Sequence, residues 1–168
     1  METKLLEYME ANQIDAFYVT KAANIRYISR YMGGDAFLVI SKEQLYVLTD
    51  PRCTEQATKE CPAYQVVNWR PYGSPEACLG VLAAENNWKA VAYEADVTTY
   101  HQWEQLRNHI TVDLVATQGV IEDFRSIKTP EEIQNLKIAA DLASRAYERL
   151  LSDVRVGITE KELESKLS

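Results

Sequence analysis

Strand-type and helix-type segments alternate along most of the chain, and this alternation is the feature that most constrains the fold. The strand-type segments are rich in β-branched and aromatic residues, and they cover residues 15–20, 36–40, 45–50, 64–69, 89–94 and 111–116. Helical patterns cover residues 2–12, 51–61, 75–83 and 98–109, and residues 21–29 form either a brief helix or a turn. Ser74 is predicted to cap the helix that begins at Pro75. The alternation predicts an α/β fold with an at least partly parallel central sheet. The short polar link between the second and third strands predicts a hairpin, which makes the sheet mixed.

Length and charge narrow the classes of function. With 168 residues the chain suits one good core. Its net charge of −7 argues against nucleic acid as a partner, because phosphate binding needs a basic surface. No apolar run reaches the roughly 18 residues of a membrane span, and the charged N-terminus lacks a signal-peptide core. Cys53, Cys61 and Cys78 form no C-x-x-C pair, which is typical of reduced thiols and predicts a cytoplasmic protein.

The pattern becomes purely helical after residue 117. Thr129, Pro130 and Glu132 form the start of a long helix, with a capping box and proline in its first turn. Its apolar stripe consists of Ile133, Leu136, Ala140, Ala143, Tyr147 and Leu150. Thr159 and Glu162 form a second capping box. Only nine residues follow Thr159, fewer than the roughly 12–15 that an isolated helix needs. Either these residues are a frayed tail, or the chain belongs to something longer; the long helix itself could also dock on its own sheet.

Residue chemistry alone predicts neither catalysis nor metal binding. His101 and His109 lie eight residues apart on one predicted helix, too far apart to share an ion unaided. The sequence contains no H-E-x-x-H, P-loop or G-x-S-x-G motif. The stretch YMGGD has the wrong spacing for a phosphate cradle, and we interpret it as a turn in which Gly33 and Gly34 supply positive φ.

Two stretches together resemble a known family. Residues 15–57 resemble the creatinase-type N-terminal domain, through Asp15, Asn24, Ile25, Arg26, Tyr27, Asp50, Arg52, Gln56 and Ala57. Residues 124–167 resemble the junction with, and the first helices of, the catalytic domain in Xaa-Pro dipeptidases (prolidases) and Xaa-Pro aminopeptidases (aminopeptidase P) of the M24 metallopeptidase family. The matching residues there are Arg125, Ile127, Lys128, Glu132, Ile133, Gly157, Thr159, Glu160, Glu162 and Leu163. Two residues depart from the pattern: Arg30 stands where a small residue, often Gly, is usual, and Cys53 replaces a common Tyr.

The resemblance implies a ribonuclease H-like mixed sheet with flanking helices over residues 1–125. Residues 126–168 would be the linker and first helices of a "pita-bread" catalytic domain that continues beyond this sequence. In the family that domain holds two divalent metals, Mn, Co or Zn, on two Asp, one His and two Glu, and it cleaves the bond before proline. None of these ligands falls within this chain, so we expect it to carry no catalytic residue, metal or cofactor. The family's N-terminal domain forms a homodimer and limits which proline-containing peptides reach the neighbouring active site.

Two loops supply the candidate substrate-binding residues that the resemblance implies: Arg30, Tyr31 and Asp35 in one, and Trp69, Arg70 and Tyr72 in the other. Aromatic and Arg side chains suit the apolar face and the carboxylate of a peptide, although Tyr31 or Trp69 could instead cover the edge of the core. Asn24, Arg26, Asp50 and Arg52 are interpreted as structural.

Three alternative functions remain open at this point. The first is a stand-alone, non-catalytic protein-interaction domain, and the second is the N-terminal domain of a creatinase-like amidinohydrolase. The third, a flavodoxin-like small-ligand domain, is disfavoured by the missing phosphate loop.

Overall fold

One sheet forms the centre of the computed structural model, which describes residues 2–167. Its strands are β1 (Ala16–Val19), β2 (Ala36–Ser41), β3 (Leu45–Thr49), β4 (Gln65–Asn68), β5 (Ala90–Glu94) and β6 (Asp113–Thr117). They lie in the order β4-β3-β2-β1-β5-β6. The predicted hairpin β2–β3 is antiparallel, as is β1–β2. The pairs β3–β4, β1–β5 and β5–β6 are parallel, which confirms the mixed sheet with flanking helices.

This topology places most strand ends on one side of the sheet. The register pairs Thr49 at the end of β3 with Ala36 at the start of β2 and with Asn68 at the end of β4. The same register brings the ends of β1, β5 and β6 to that side. We call this side the carboxyl edge, and the loops that leave it lie next to one another in space.

The helices divide between two compact units. The unit that ends at Ser126 contains α1 (Glu2–Ala11), α2 (Ala22–Ser29), α3 (Thr54–Glu60), α4 (Pro75–Glu85), α5 (Tyr100–His109) and α6 (Val120–Ser126). The unit that begins at Ile127 contains α7 (Pro130–Leu151) and α8 (Glu160–Leu167). No helix in residues 2–167 is both long enough and apolar enough to cross a membrane.

Side chains that alternate along the strands build a core on each face of the sheet. In β1, Phe17 and Val19 pack in one cluster, and Ala16 and Tyr18 pack in the other. The first cluster also takes buried residues from α1, α2, α3 and α6, and the second takes them from α4 and α5. Both layers of helices are therefore held to the sheet by apolar burial.

Helix starts follow the predicted capping residues with two exceptions. The Ser74 cap and the capping boxes at Thr129 and Thr159 are present. α3 begins at Thr54 and not at Pro51, since a turn closed by Cys53 N–H and Asp50 C=O comes first. α5 begins at Tyr100, two residues later than predicted, and is capped by Thr99 together with Gln102.

The long helix α7 buries little of its predicted stripe. Ile133, Leu136 and Tyr147 are exposed to 44, 55 and 61%, respectively. On the rest of the helix, Ile138 and Leu142 are exposed as well. Apolar side chains in such numbers on one exposed helix are unusual for a protein surface.

Candidate functional site at the carboxyl edge

The carboxyl edge brings the two predicted loops together. Asp35 directly precedes β2, Asp50 directly follows β3, and Trp69 and Arg70 directly follow β4. Because β2, β3 and β4 are adjacent, these residues converge although up to 35 positions separate them in the sequence. The convergence depends on strand order, which the sequence pattern does not specify.

Asp50 is the centre of a charged cluster. Its side chain is only 1% exposed, and its Oδ2 accepts hydrogen bonds from Arg52 Nε at 2.9 Å and from Arg70 Nη2 at 3.3 Å. Arg52 Nη2 also lies 3.0 Å from Asp35 Oδ2. We refer to Asp35, Asp50, Arg52 and Arg70 as the Asp50 cluster. It links the loop before β2 to the loop after β4.

The buried member of this cluster, Asp50, keeps one charge state, whereas the exposed members can change their partners. The side-chain hydrogen bonds from Arg52 lower the pKa of Asp50 to about 2, so that this carboxylate stays charged at neutral pH. Asp35, Arg52 and Arg70 are exposed to 67, 70 and 55%. An exposed ion pair contributes little to stability, so the Asp35–Arg52 pair can open when a charged ligand competes for it.

The Trp69 ring lies against Arg70 of this cluster. The Arg70 guanidinium lies 4.5 Å from the centroid of the Trp69 ring, within the range of a cation–π contact. Trp69 is half-buried, and its Nε1 is buried without a hydrogen-bond partner in the described residues. The single 3₁₀ turn Arg70–Tyr72 leaves Tyr72 43% exposed and ends at Gly73, whose φ is +94°.

The loop before β2 has a different conformation from the predicted one. Positive φ occurs at Arg30 (+63°) and Asp35 (+48°) and not at Gly33 or Gly34, so that prediction was wrong. Arg30 ends α2 in the left-handed conformation, which explains why glycine is usual at this position in the family pattern.

Gly33 serves a different purpose, which is to make room for Tyr31. A Cβ on Gly33 would lie 2.2 Å from Tyr31 Oη. Tyr31 is 1% exposed and donates a hydrogen bond to Gly34 C=O at 3.3 Å. Burial, together with hydrogen bonding to Cys53, raises the pKa of the Tyr31 hydroxyl to about 12. Of the six predicted site residues, Tyr31 is therefore the one fully buried in the core, and Arg30 and Tyr72 form no hydrogen bond or ion pair with the Asp50 cluster in residues 2–167.

An open cavity of about 230 Å³ lies between the end of β1, α2 and this loop. Its walls include Thr20, Arg26, Tyr31, Asp35 and Phe37. Sequence reasoning predicted Tyr31 and Asp35 and missed the other three. Thr20 and Arg26 follow strand β1, and Phe37 lies in the neighbouring strand β2. Ligands often bind beyond the ends of strands, so this position was the signal that could have found them.

Below the cavity a buried polar network holds α2 in place. Glu94, at the end of β5, accepts hydrogen bonds from the Thr20 and Lys21 N–H groups and from Asn24 Nδ2. Asn24 Oδ1 accepts a hydrogen bond from Arg125 Nη1 at 2.8 Å, which ties α6 to α2. The sequence predicts structural roles for Asn24, Arg26, Asp50 and Arg52. The hydrogen bonds of Asn24, Asp50 and Arg52 agree with that prediction. Arg26, the fourth member of that set, makes no ion pair or side-chain hydrogen bond with any residue in 2–167.

The donor set of the chain does not fit a two-metal centre. Across residues 2–167 no three His, Cys, Asp or Glu side chains converge in a way that could hold an ion. Both histidines lie on α5, eight residues or about 12 Å apart along its axis.

The amino-acid sequence matches the family model of the creatinase/prolidase N-terminal domain over residues 3–127. The chain belongs to this family. Among curated relatives of this creatinase/prolidase domain, the Bacillus subtilis peptidase YqhT is 28% identical over 92% of the chain. The Xaa-Pro dipeptidase of Pyrococcus furiosus is 27% identical over 98% of it. The chain spans 43 and 45% of these two proteins, less than half their length.

Solved structures show the same relationship. An Xaa-Pro dipeptidase from Bacillus anthracis superimposes with a TM-score of 0.89 at 30% identity, over 99% of the chain and 46% of that protein. The N-terminal, creatinase/prolidase-like domain of a Corynebacterium diphtheriae protein is also 30% identical, with a TM-score of 0.63 over 71% of the chain and 94% of that domain. The creatinase/prolidase domain therefore occurs both within longer peptidases and as a separately solved unit.

Proposed function

We propose that the chain is the N-terminal part of a metal-dependent Xaa-Pro peptidase, in which it joins two subunits and limits which peptides reach the metals. The observation that carries this proposal is the likeness to the Bacillus anthracis Xaa-Pro dipeptidase over 99% of the chain. The chain itself takes no part in bond cleavage. Two divalent ions, Mn²⁺, Co²⁺ or Zn²⁺, would be held by residues outside it and would supply the attacking hydroxide.

The carboxyl edge is the surface that suits this role. Trp69 and Arg70 offer an aromatic face and a guanidinium, which complement the apolar and carboxylate parts of a short peptide. Arg70 Nη2 donates a hydrogen bond to Asp50 Oδ2 at 3.3 Å, which favours one orientation of the Arg70 side chain before a peptide arrives. Side chains held in this way select substrates by size and charge without touching the reacting bond.

A chimera tests the proposal. The chain replaces the matching part of the Bacillus anthracis dipeptidase, and hydrolysis of Ala-Pro is compared with that of longer Xaa-Pro peptides. Trp69→Ala and Arg70→Ala should each raise KM, or shift the preferred peptide length, while kcat changes less than about twofold. Tyr100→Ala, which removes an exposed aromatic side chain on α5, is the matched control and should leave both constants unchanged.

Tyr31 is unsuitable for this experiment because it is buried. Truncation of a buried aromatic side chain costs about 3–5 kcal/mol, so a kinetic change in Tyr31→Ala would reflect unfolding. If Trp69→Ala and Arg70→Ala keep the kinetics of the unmodified chimera but melt at lower temperature, the two side chains only cover the edge of the core. The proposed selection of substrates would then be wrong.

A further inference from the structure

The cavity beside α2 has the composition of a small-ligand site. Ile25, Tyr31 and Ala36 give it apolar walls, and Arg26 supplies a charged group. Its volume of about 230 Å³ lies below the usual 300–1,000 Å³ of sites for drug-sized ligands. A molecule of the size of an amino acid or a dipeptide fits such a space.

Charge is distributed unevenly around this cavity. The chain carries a net charge of −7, yet Arg26 and Arg30 near the cavity have no acidic partner in residues 2–167. Arg26 lies in the last turn of α2, and Arg30 is its C-cap residue. Asp35, the carboxylate on the wall, is already paired with Arg52. The cavity therefore presents an uncompensated positive charge in an otherwise acidic protein.

Arg26 differs in this respect from Arg52, Arg70 and Arg125. Arg52 and Arg70 bind Asp50, and Arg125 binds Asn24. The side chain of Arg26 is exposed, lines the cavity and forms none of these contacts. An arginine that lines a cavity and has no internal partner is suited to bind a carboxylate from a ligand.

We propose that this cavity binds the carboxylate end of a small apolar amino acid or dipeptide, with Arg26 as the ion-pair partner. Ile25 and Ala36 contact the apolar part of the ligand, and Gly33 and Gly34 leave its approach unobstructed. The inference rests on the proposed function and adds to Arg70 a second position at which this domain can hold a peptide carboxylate. It requires neither the metals nor a second subunit.

The test uses the 168-residue chain labelled with ¹⁵N and titrated with Ala-Pro and with its C-terminal amide, while amide shifts are followed by NMR. Ala-Pro should bind with a Kd of about 1 mM and shift the signals of the loop 31–37. The amide, which lacks the carboxylate, should bind at least about tenfold more weakly. Arg26→Gln should weaken binding of Ala-Pro by a similar factor, and Arg26→Lys by less.

Arg107→Gln is the matched control, because it removes one exposed positive charge on α5 and leaves the cavity intact. Equal binding of Ala-Pro and its amide, or equal binding by wild type and Arg26→Gln, would overturn the inference. So would the absence of shifts at about ten times the expected Kd. These outcomes are distinct from failure of the proposed function, which is tested by Trp69 and Arg70 in the chimera.

Discussion

At the scale of single residues, a glycine at the carboxyl edge leaves the space that the large Tyr31 side chain occupies. Gly33 contacts the Tyr31 ring so closely that no side chain fits at position 33. Gly34, its neighbour, has open space around the same position, and neither glycine has positive φ. The two glycines look alike in the sequence, and only the position of the Tyr31 ring distinguishes them.

We therefore expect Gly33→Ala and Gly34→Ala to differ. Gly33→Ala must displace the buried Tyr31 ring, which should lower the free energy of unfolding by about 1–3 kcal/mol. Gly34→Ala should change it by less than about 0.5 kcal/mol, since the added methyl group meets nothing within 4 Å. Urea unfolding of the two variants checks this, and equal stability would contradict the position assigned to Tyr31.

At the scale of elements, the sequence predicted the type of most helices and strands but not how they meet. Helix starts at Ser74 and Thr129 followed from their capping chemistry, which is local. The start of α3 was wrong because Asp50 closes a turn that uses the residues Pro51–Cys53 first. Strand order brings Asp35, Asp50 and Arg70 together, and it depends on long-range pairing that no local pattern encodes.

The loop after β3 should make the stability of the domain depend on pH. The pKa of Asp50 is lowered from 3.8 to about 2 by the folded structure, so its stabilising charge is fully present above about pH 4 and is lost as pH falls through 2. Asp50→Asn should melt at lower temperature at pH 7, and its melting temperature should fall less between pH 4 and pH 2 than that of the wild type. Calorimetry across this range checks the prediction. The same steep acid loss in both proteins would show that Asp50 is not the group responsible.

At the scale of the whole molecule, the exposed stripe of α7 should lead the 168-residue chain to self-associate. Leu136 and Tyr147 are more than half exposed, and Ala140 and Ala143 allow another helix to approach closely. Burial of apolar surface contributes about 25 cal/mol per Å², which favours association over continued exposure. Light scattering at tens of micromolar should report a dimer.

Leu136→Glu combined with Ala143→Glu should make the chain monomeric. Gln134→Glu combined with Asn135→Glu adds the same charge to α7 away from the stripe and should leave the dimer intact. A wild-type chain that is already monomeric, or a control that dissociates equally, would show that the stripe does not mediate association.

Turnover of Ala-Pro by the purified 168-residue chain tests most directly the proposal that this chain contributes selection and assembly but no chemistry. The chain is assayed with Mn²⁺, Co²⁺ or Zn²⁺, alongside the chimera as a positive control. Since no three potential ligands converge in residues 2–167, we expect no hydrolysis above the metal-only blank and no stoichiometric metal binding, whereas the chimera hydrolyses the peptide. Hydrolysis by the chain alone that a chelator abolishes would contradict the account.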